Sequence, residues 1–256
     1  MRLSFEKWEG LGNDFILVRA REAEIAPALV RRLCDRRRGI GADGVLLVGD
    51  EPPSMIVLNA DGSRPEMCGN GLRCVAGLLV AAEPKTLSVR TDAGERTTRV
   101  SWTGADEALV EVDMGRAQIG SSASHEWAGR PVNFGAVNVG NPHLITFDPI
   151  EAGGRDVLGP QLERATPGGT NVEFATQVAP DAFDVVVWER GVGYTQACGT
   201  GACATAALAC QAGRAAFESP VKVGLPGGEL LITVSRDLNV TMRGPARRVF
   251  RGTIEI

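Results

Sequence analysis

The feature that most constrains this chain is an internal repeat. The segment GLGNDFILV, containing Asn13, resembles NVGNPHLITF, containing Asn141, at an offset of 128 residues. GIGADG from Gly39 has a counterpart in GGTNVEF from Gly168 at an offset of 129, and MCGNGLRC around Cys68 matches ACGTGACA around Cys198 at an offset of 130. Three landmarks in one order at nearly constant spacing point to two homologous domains of similar size. A length of 256 residues accommodates two.

Each half reads as a first strand, a Gly-rich turn, a later strand and a Cys-led helix. SMIVL (Ser54–Leu58) and FDVVVWE (Phe183–Glu189) are β-rich runs just before the cysteine segments. Cys68–Ala82 and Cys198–Gly213 are rich in Ala and Leu and apolar almost all round, which predicts helices buried within their domains. EALVEVDM, LLITVS and NVTMRG read as antiparallel strands. The expected class is α+β: two pseudo-symmetric domains, each a mixed, mostly antiparallel sheet wrapped around a central helix, with the active site in the cleft between them. The expected division is residues 1–116 with a returning C-terminal strand 245–256, and residues 117–244.

A formal charge of -4 and a pI near 5.4 argue against a nucleic-acid partner. The cluster Arg31, Arg32, Arg36, Arg37 and Arg38 falls where a helix starting near Pro27 would end, and reads as a solvated helix C-terminus. MRLSFEKWEG has no apolar targeting core, and no run approaches the ~20 apolar residues of a membrane span. A cytoplasmic protein without membrane contact is expected, and there six cysteines are not expected to form structural disulfides. Cys68/Cys74 and Cys198/Cys203 lack zinc-knuckle spacing, and His125 and His143 form no ligand pair, so no metal is expected. The chain has neither a P-loop nor a GxGxxG between strand and helix, so no cofactor is expected either.

The chemistry lies in the duplicated C-G-x-G. A cysteine at a helix start sits where N–H groups have no intrahelical partner and the macrodipole is positive. That setting stabilises a thiolate and lowers the thiol's pKa. The N–H groups of Gly69–Asn70 and of Gly199–Thr200 form anion sites suited to a carboxylate. If the two cradles face one another, a sulfur flanks each side of one ligand carbon. Inverting a stereocentre needs a base on one face and an acid on the other, roles that a thiolate and a thiol exchange on reversal. Donors at two helix starts would stabilise the developing enediolate. Cys34, Cys74, Cys203 and Cys210, within or against helices, read as core residues.

With these residues in place, the chain resembles the diaminopimelate epimerase family along nearly its full length. The resembling segments are GLGNDF, GIGADG, NADGSRPEMCGNGLRC, GNPH, GTNVEFA and ERGVGYTQACGTGACA. The resemblance implies interconversion of LL- and meso-2,6-diaminopimelate on the bacterial route to lysine and peptidoglycan, by a homodimer without metal or pyridoxal phosphate. It assigns proton transfer to Cys68 and Cys198, and the reacting carboxylate to the backbone at Gly69, Asn70, Gly199 and Thr200. It assigns substrate binding to Asn13, Asn59, Asn141 and Asn171, whose amides offer both donor and acceptor. Arg190 would pair with the distal carboxylate, and Glu189 would contact the substrate's amino groups. Glu189 and His143 would tune the cysteines' ionisation.

Three positions depart from the common pattern: Gly44 where some members carry a substrate-contacting Gln, Tyr194 where GxGET is frequent, and Phe250 in place of a Tyr implicated in dimer contact. A proline- or hydroxyproline-racemase-like enzyme shares the paired cysteines but tends to have a histidine after the first C-G, where this chain has Asn70. A non-catalytic amino-acid-binding module would also use the duplicated cradle, though it has no need of both cysteines.

Overall fold

The computed structural model describes residues 2–19, 25–80 and 84–256. The chain divides into two compact units, Met1–Asp113 with Arg243–Ile256 (unit 1) and Met114–Met242 (unit 2).

Unit 1 contains β1 (Arg2–Gly10), β2 (Asn13–Val18), α1 (Pro27–Cys34), β3 (Gly44–Asp50), β4 (Pro53–Asn59), α2 (Gly69–Leu79), β5 (Lys85–Thr91), β6 (Gly94–Trp102) and most of β7 (Glu107–Arg116). Unit 2 contains β8 (Gln118–Trp127), β9 (Arg130–Asn138), β10 (Pro142–Thr146), α3 (Ala152–Ala165), β11 (Asn171–Ala179) and β12 (Ala182–Glu189). It continues with β13 (Gly193–Tyr194), α4 (Gly199–Gln211), β14 (Pro220–Leu225), β15 (Gly228–Val234) and the first residues of β16 (Asn239–Glu255).

The repeat is written into strand order. Unit 1 runs β16-β1-β2-β3-β4-β5-β6-β7, and unit 2 runs β8-β9-β10-β11-β12-β14-β15-β16. In unit 1 the parallel pairs are β2/β3 and β4/β5, and in unit 2 they are β10/β11 and β12/β14, at the same places in each order. Most other pairs are antiparallel, so each sheet is mixed and mainly antiparallel. The final strand returns along β1, pairing Arg2 with Glu255 and Glu9 with Arg247.

Burial follows strand alternation: on β12, Phe183, Val185 and Val187 face the core, while Asp184 is exposed. The two Cys-led helices are buried nearly all round. In α4, Ala202, Cys203, Ala204, Ala206 and Ala207 are fully buried, and small side chains let the helix lie close against β9, β10, β11 and β15. In α2, Leu72, Cys74, Val75 and Ala76 are likewise buried, and the helix packs against β1, β2, β3, β4 and β6. The expected helix Cys68–Ala82 ends at Leu79, and positions 81 and 82 lie outside the described residues. Cys34, Cys74, Cys203 and Cys210 are buried.

The arginine cluster needs correction. Arg31 and Arg32 do occupy the last turn of α1, but Arg36 is not simply solvated. Its guanidinium lies 2.6 Å from Asp14 Oδ1 and 2.8 Å from Asp43 Oδ1. Lys7, 5% exposed, reaches Asp14 Oδ2 at 2.6 Å and also donates to the Gly41 carbonyl. Burial pushes the Asp14 carboxyl up, but Arg36 and Lys7 outweigh this and hold it at about 2.

Candidate active site

Each unit builds its own cradle from the residues its repeat places together. In unit 1, Cys68 is the N-cap of α2 in extended conformation, and its sulfur accepts from the Gly71 N–H at 3.4 Å. Asn13, at the start of β2, comes beside it: Cys68 Sγ lies 4.0 Å from Asn13 Oδ1, and Asn70 Nδ2 donates to the same oxygen at 3.2 Å. The Asn13 amide is held from behind, donating to Asp43 Oδ2 at 2.7 Å. Arg73, one turn along α2 and fully buried, donates to Asn70 Oδ1 at 3.0 Å and to the Pro245 carbonyl at 3.0 Å.

Unit 2 repeats the design with different parts. Cys198 caps α4 and accepts from the Gly201 N–H at 3.4 Å. Asn141 donates to Thr200 Oγ1 at 3.3 Å, and that oxygen stands 3.5 Å from Cys198 Sγ. The His143 ring, 1% exposed, lies between Asn141 Oδ1 at 2.9 Å and Glu173 Oε1 at 2.7 Å. Glu189 accepts from Thr195 Oγ1 at 2.6 Å and also touches Cys198.

The thiol's ionisation departs from the expectation. A helix start was expected to lower it. For Cys198 burial dominates, the carboxyl groups of Glu189 and Glu173 add to it, and the thiol is pushed well above the ordinary cysteine range. The hydrogen bonds from Thr200 and Gly201 offset this only in part. Burial also raises the Glu189 carboxyl, with Glu173 adding to the rise.

Other predicted residues are nearby but differently engaged. Asn171 donates to the Pro142 carbonyl at 2.9 Å and accepts from the Arg190 N–H at 3.0 Å, so its amide braces the β11–β12 edge. The Arg190 guanidinium donates to the Gly168 carbonyl at 3.0 Å and is exposed. Asn59 donates to Ser63 Oγ at 3.0 Å, within its own loop. Gly69 and Gly199 are the first residues of their helices, as the repeat required.

A side chain at Gly44 would meet the Leu58 carbonyl 2.7 Å from its Cβ, so this backbone does not admit the Gln of other members without shifting. Tyr194 donates to Asp156 at 2.7 Å and packs edge-on against Trp188, well occupied in place of a glutamate. Phe250 packs edge-on against Phe5. Among the described residues, no group of three or more His, Cys, Asp or Glu is arranged to hold a metal ion.

Sequence reasoning missed Arg73, Asp43 and Glu173. A lone arginine three residues after Asn70 in an otherwise apolar helix was a readable signal. Glu173 lies in the GTNVEFA segment, two residues beyond Asn171 and therefore on the same strand face.

Comparison with known proteins agrees with this picture. The family model described as diaminopimelate epimerase matches residues 5–120 and 135–249. A diaminopimelate epimerase of Synechococcus elongatus is 40% identical, the alignment covering 100% of this chain and 99% of the relative. One from Desulfitobacterium hafniense is 40% identical over 97% of this chain and 96% of its own. Among solved structures, a protein described as a predicted epimerase from Pseudomonas aeruginosa superposes with a TM-score of 0.75 at 18% identity, covering 99% of both chains. A hydroxyproline epimerase from Agrobacterium vitis gives 0.72 at 14% identity, covering 99% of this chain and 92% of that one, and these two likenesses speak for the fold. On the sequence matches, which span the whole chain and both cysteine cradles, this protein belongs to the diaminopimelate epimerase family.

Proposed function

We propose that the protein interconverts LL- and meso-2,6-diaminopimelate by a two-base reaction between Cys68 and Cys198, without metal or organic cofactor. The observation that carries the reading is the duplicated cradle: in each unit a cysteine caps a buried helix, and its sulfur accepts from the N–H three residues on. The reading needs the two cradles to face one another across a cleft.

On this reading the substrate's α-carboxylate is held by the N–H groups of Gly69–Asn70 and Gly199–Thr200. One cysteine, as thiolate, takes the α-proton. The electron pair left on carbon is delocalised into the carboxylate, where the helix-start donors meet the growing charge. The other cysteine, as thiol, returns a proton to the opposite face. No electrons are gained or lost overall, and the two sulfurs finish with exchanged protonation. Burial and two nearby carboxyl groups favour the thiol form of Cys198, so Cys198 is the acid of the resting form. Asn13 and Asn141 orient the amino acid beside each sulfur, while Arg190 and Glu189 take the distal carboxylate and the amino groups.

We also propose a homodimer, supported by the exposed Val249 and Phe250 on β16, 52% and 45% accessible. The cytoplasm is the proposed compartment, where thiols stay reduced. Among the described residues no helix is long and apolar enough to cross a membrane.

The decisive experiment incubates the protein with LL-diaminopimelate in heavy water under reductant and follows the α-proton by NMR. Deuterium uptake and appearance of the meso form are expected; absence of both refutes the reaction. Cys68→Ala and Cys198→Ala should each abolish epimerisation in a folded protein, and near-normal turnover by either refutes the two-base assignment. L-proline serves as the alternative substrate, and its racemisation in place of diaminopimelate turnover would assign the chain to racemase chemistry. Light scattering on a size-exclusion column reads the dimer.

A further inference from the structure

Resting on the epimerase reading, we propose that Glu173 is a positioning residue of the reaction, aligning Cys198 through an unbroken set of contacts across His143, Asn141 and Thr200. Glu173 is fully buried on β11, and its Oε1 stands 2.7 Å from His143 Nδ1. His143 Nε2 is 2.9 Å from Asn141 Oδ1, Asn141 Nδ2 donates to Thr200 Oγ1 at 3.3 Å, and Thr200 Oγ1 is 3.5 Å from the sulfur. Both ring nitrogens therefore face oxygen. Because the Asn141 amide nitrogen is committed to Thr200, the Asn141 oxygen accepts from His143 Nε2, and the ring's other nitrogen faces Glu173. The carboxylate also approaches the thiol directly. A Cβ built at Gly201 would lie 2.6 Å from Glu173 Oε1 and 3.3 Å from Cys198 Sγ, which puts the two within about 6 Å, where charges couple strongly.

Unit 1 builds the same architecture without such a dyad. The β2–β3 register sets Phe15 opposite Gly44 as the β10–β11 register sets His143 opposite Asn171. Phe15 and Leu46 are thus the unit 1 equivalents of His143 and Glu173. The atoms beneath the helix start agree: a Cβ at Gly71 meets Leu46 where one at Gly201 meets Glu173. One half of the molecule floors its cradle with two apolar side chains and the other with a buried acid and base. A buried acid and base cost solvation that apolar side chains do not. Among the described residues Glu173 Oε2 has no hydrogen-bond partner, so the site carries that cost without full recompense from packing. What the dyad adds is a fixed setting for Cys198, which makes the two cysteines inequivalent.

The test uses Glu173→Gln and the double variant His143→Phe/Glu173→Leu, which copies the unit 1 floor and guards against simple misfolding. Circular dichroism and melting establish that each is folded. Alkylation of Cys68 and Cys198 by iodoacetamide is followed against pH by peptide mass spectrometry, and kcat and KM are measured with LL-diaminopimelate. Among the described residues the carboxyl groups of Glu173 on β11 and Glu189 on β12 act on Cys198, with His143 on β10 against Glu173, and Glu189 is left in place. The alkylation half-point of Cys198 should fall by about one pH unit in both variants while that of Cys68 stays put. The kcat should drop at least ~10-fold with KM within ~2-fold, as for groups that orient a reacting residue. An unchanged Cys198 profile in the folded variants, or unchanged kcat, overturns the proposal. The alkylation arm needs no substrate: wild-type protein inactive on LL-diaminopimelate would refute the epimerase reading, and Glu173 would then be judged on the thiol profile alone.

Discussion

Gly71 and Gly201 hold the same place in the two cradles, third in the first turn of α2 and α4, yet replacing each by alanine should have very different consequences. Alanine in a helix gains up to about 1 kcal/mol over glycine from backbone entropy. At Gly71 the new methyl meets Leu46 Cδ1 and Cδ2 at 3.2 Å, a contact that a few tenths of an ångström of side-chain movement relieves. The net effect should stay within about 1 kcal/mol of wild type. At Gly201 the methyl meets Glu173 Oε1 at 2.6 Å, and that oxygen is already committed to His143 at 2.7 Å with both side chains 0% exposed. The carboxylate must move, and breaking a buried pair costs about 3–5 kcal/mol. With the helix gain subtracted, the loss is about 2–4 kcal/mol, which for a chain of this size lowers the melting temperature by roughly 10 °C. Differential scanning fluorimetry of the two variants beside wild type is sufficient. If Gly201→Ala melts within ~2 °C of Gly71→Ala, the account of the unit 2 floor as a rigid, buried polar contact is wrong.

Arg73→Met should cost about 2–6 kcal/mol in denaturant unfolding, because Asn70 Oδ1 and the Pro245 carbonyl lose a buried donor at about 1–3 kcal/mol each; a loss below ~1 kcal/mol would refute that role. Asp14 has a folded pKa of about 2, below its ordinary 3.8, so its pairing with Arg36 and Lys7 stabilises the fold fully above the ordinary value and fades as pH falls toward 2. Asp14→Asn should therefore be less stable than wild type at neutral pH by about 1–2 kcal/mol, and the melting temperatures should converge between about pH 4 and pH 2. Parallel pH curves would contradict it. If the two cradles converge on one carbon, mild oxidant should join Cys68 to Cys198 and abolish activity, with reductant restoring it. Retained activity after oxidant would mean that the sulfurs do not meet.

Much of this architecture was legible because it is written twice. The repeat located both Cys-led helices and the strands before them, while the family resemblance pointed to the asparagines of each cradle. What lacked a duplicate signal was harder to read. Helix α3, AGGRDVLGPQLERA, carries three glycines and Pro160 and has no clean apolar stripe, so propensity argued against it. Strand β8, QIGSSASHEW, is exposed along most of its length and shows no alternation of apolar and polar residues. Arg36 looked solvated because its acids lie 22 and 7 residues away in sequence, and folding alone brings them together. Glu173 and His143, 30 residues apart, meet only through the β10–β11 register. The raised Cys198 thiol was missed for a different reason. Reasoning from the helix start counted the dipole, worth about 1 kcal/mol, but not burial, which acts on the whole charge.

The residues that differ between the halves follow a rule that the proposed substrate explains. A carbon undergoing inversion presents a proton site on each face and one carboxylate to both, so the cysteines, the glycines after them and Asn13/Asn141 are needed in duplicate. The rest of the substrate is not two-fold. Diaminopimelate has one distal amino-acid end, and only one half can be shaped to take it. Glu189 and Arg190 precede Cys198 by nine and eight residues, where Asn59 and Ala60 precede Cys68; Asn171 stands where unit 1 has Gly44. The charged side chains at these positions thus gather in unit 2, and unit 1 has Asn59, Ala60 and Gly44 at the matching places. His143 and Glu173 belong to the same asymmetric set, against Phe15 and Leu46. Cys198 lies near the carboxyl groups of Glu189 and Glu173, which disfavour a thiolate, and on the proposed reading Glu189 also takes the substrate's amino groups. On the proposal that His143 and Glu173 brace Asn141 and Thr200, they keep the sulfur of that half aligned, a problem that unit 1, with no acid corresponding to Glu189, does not have to solve.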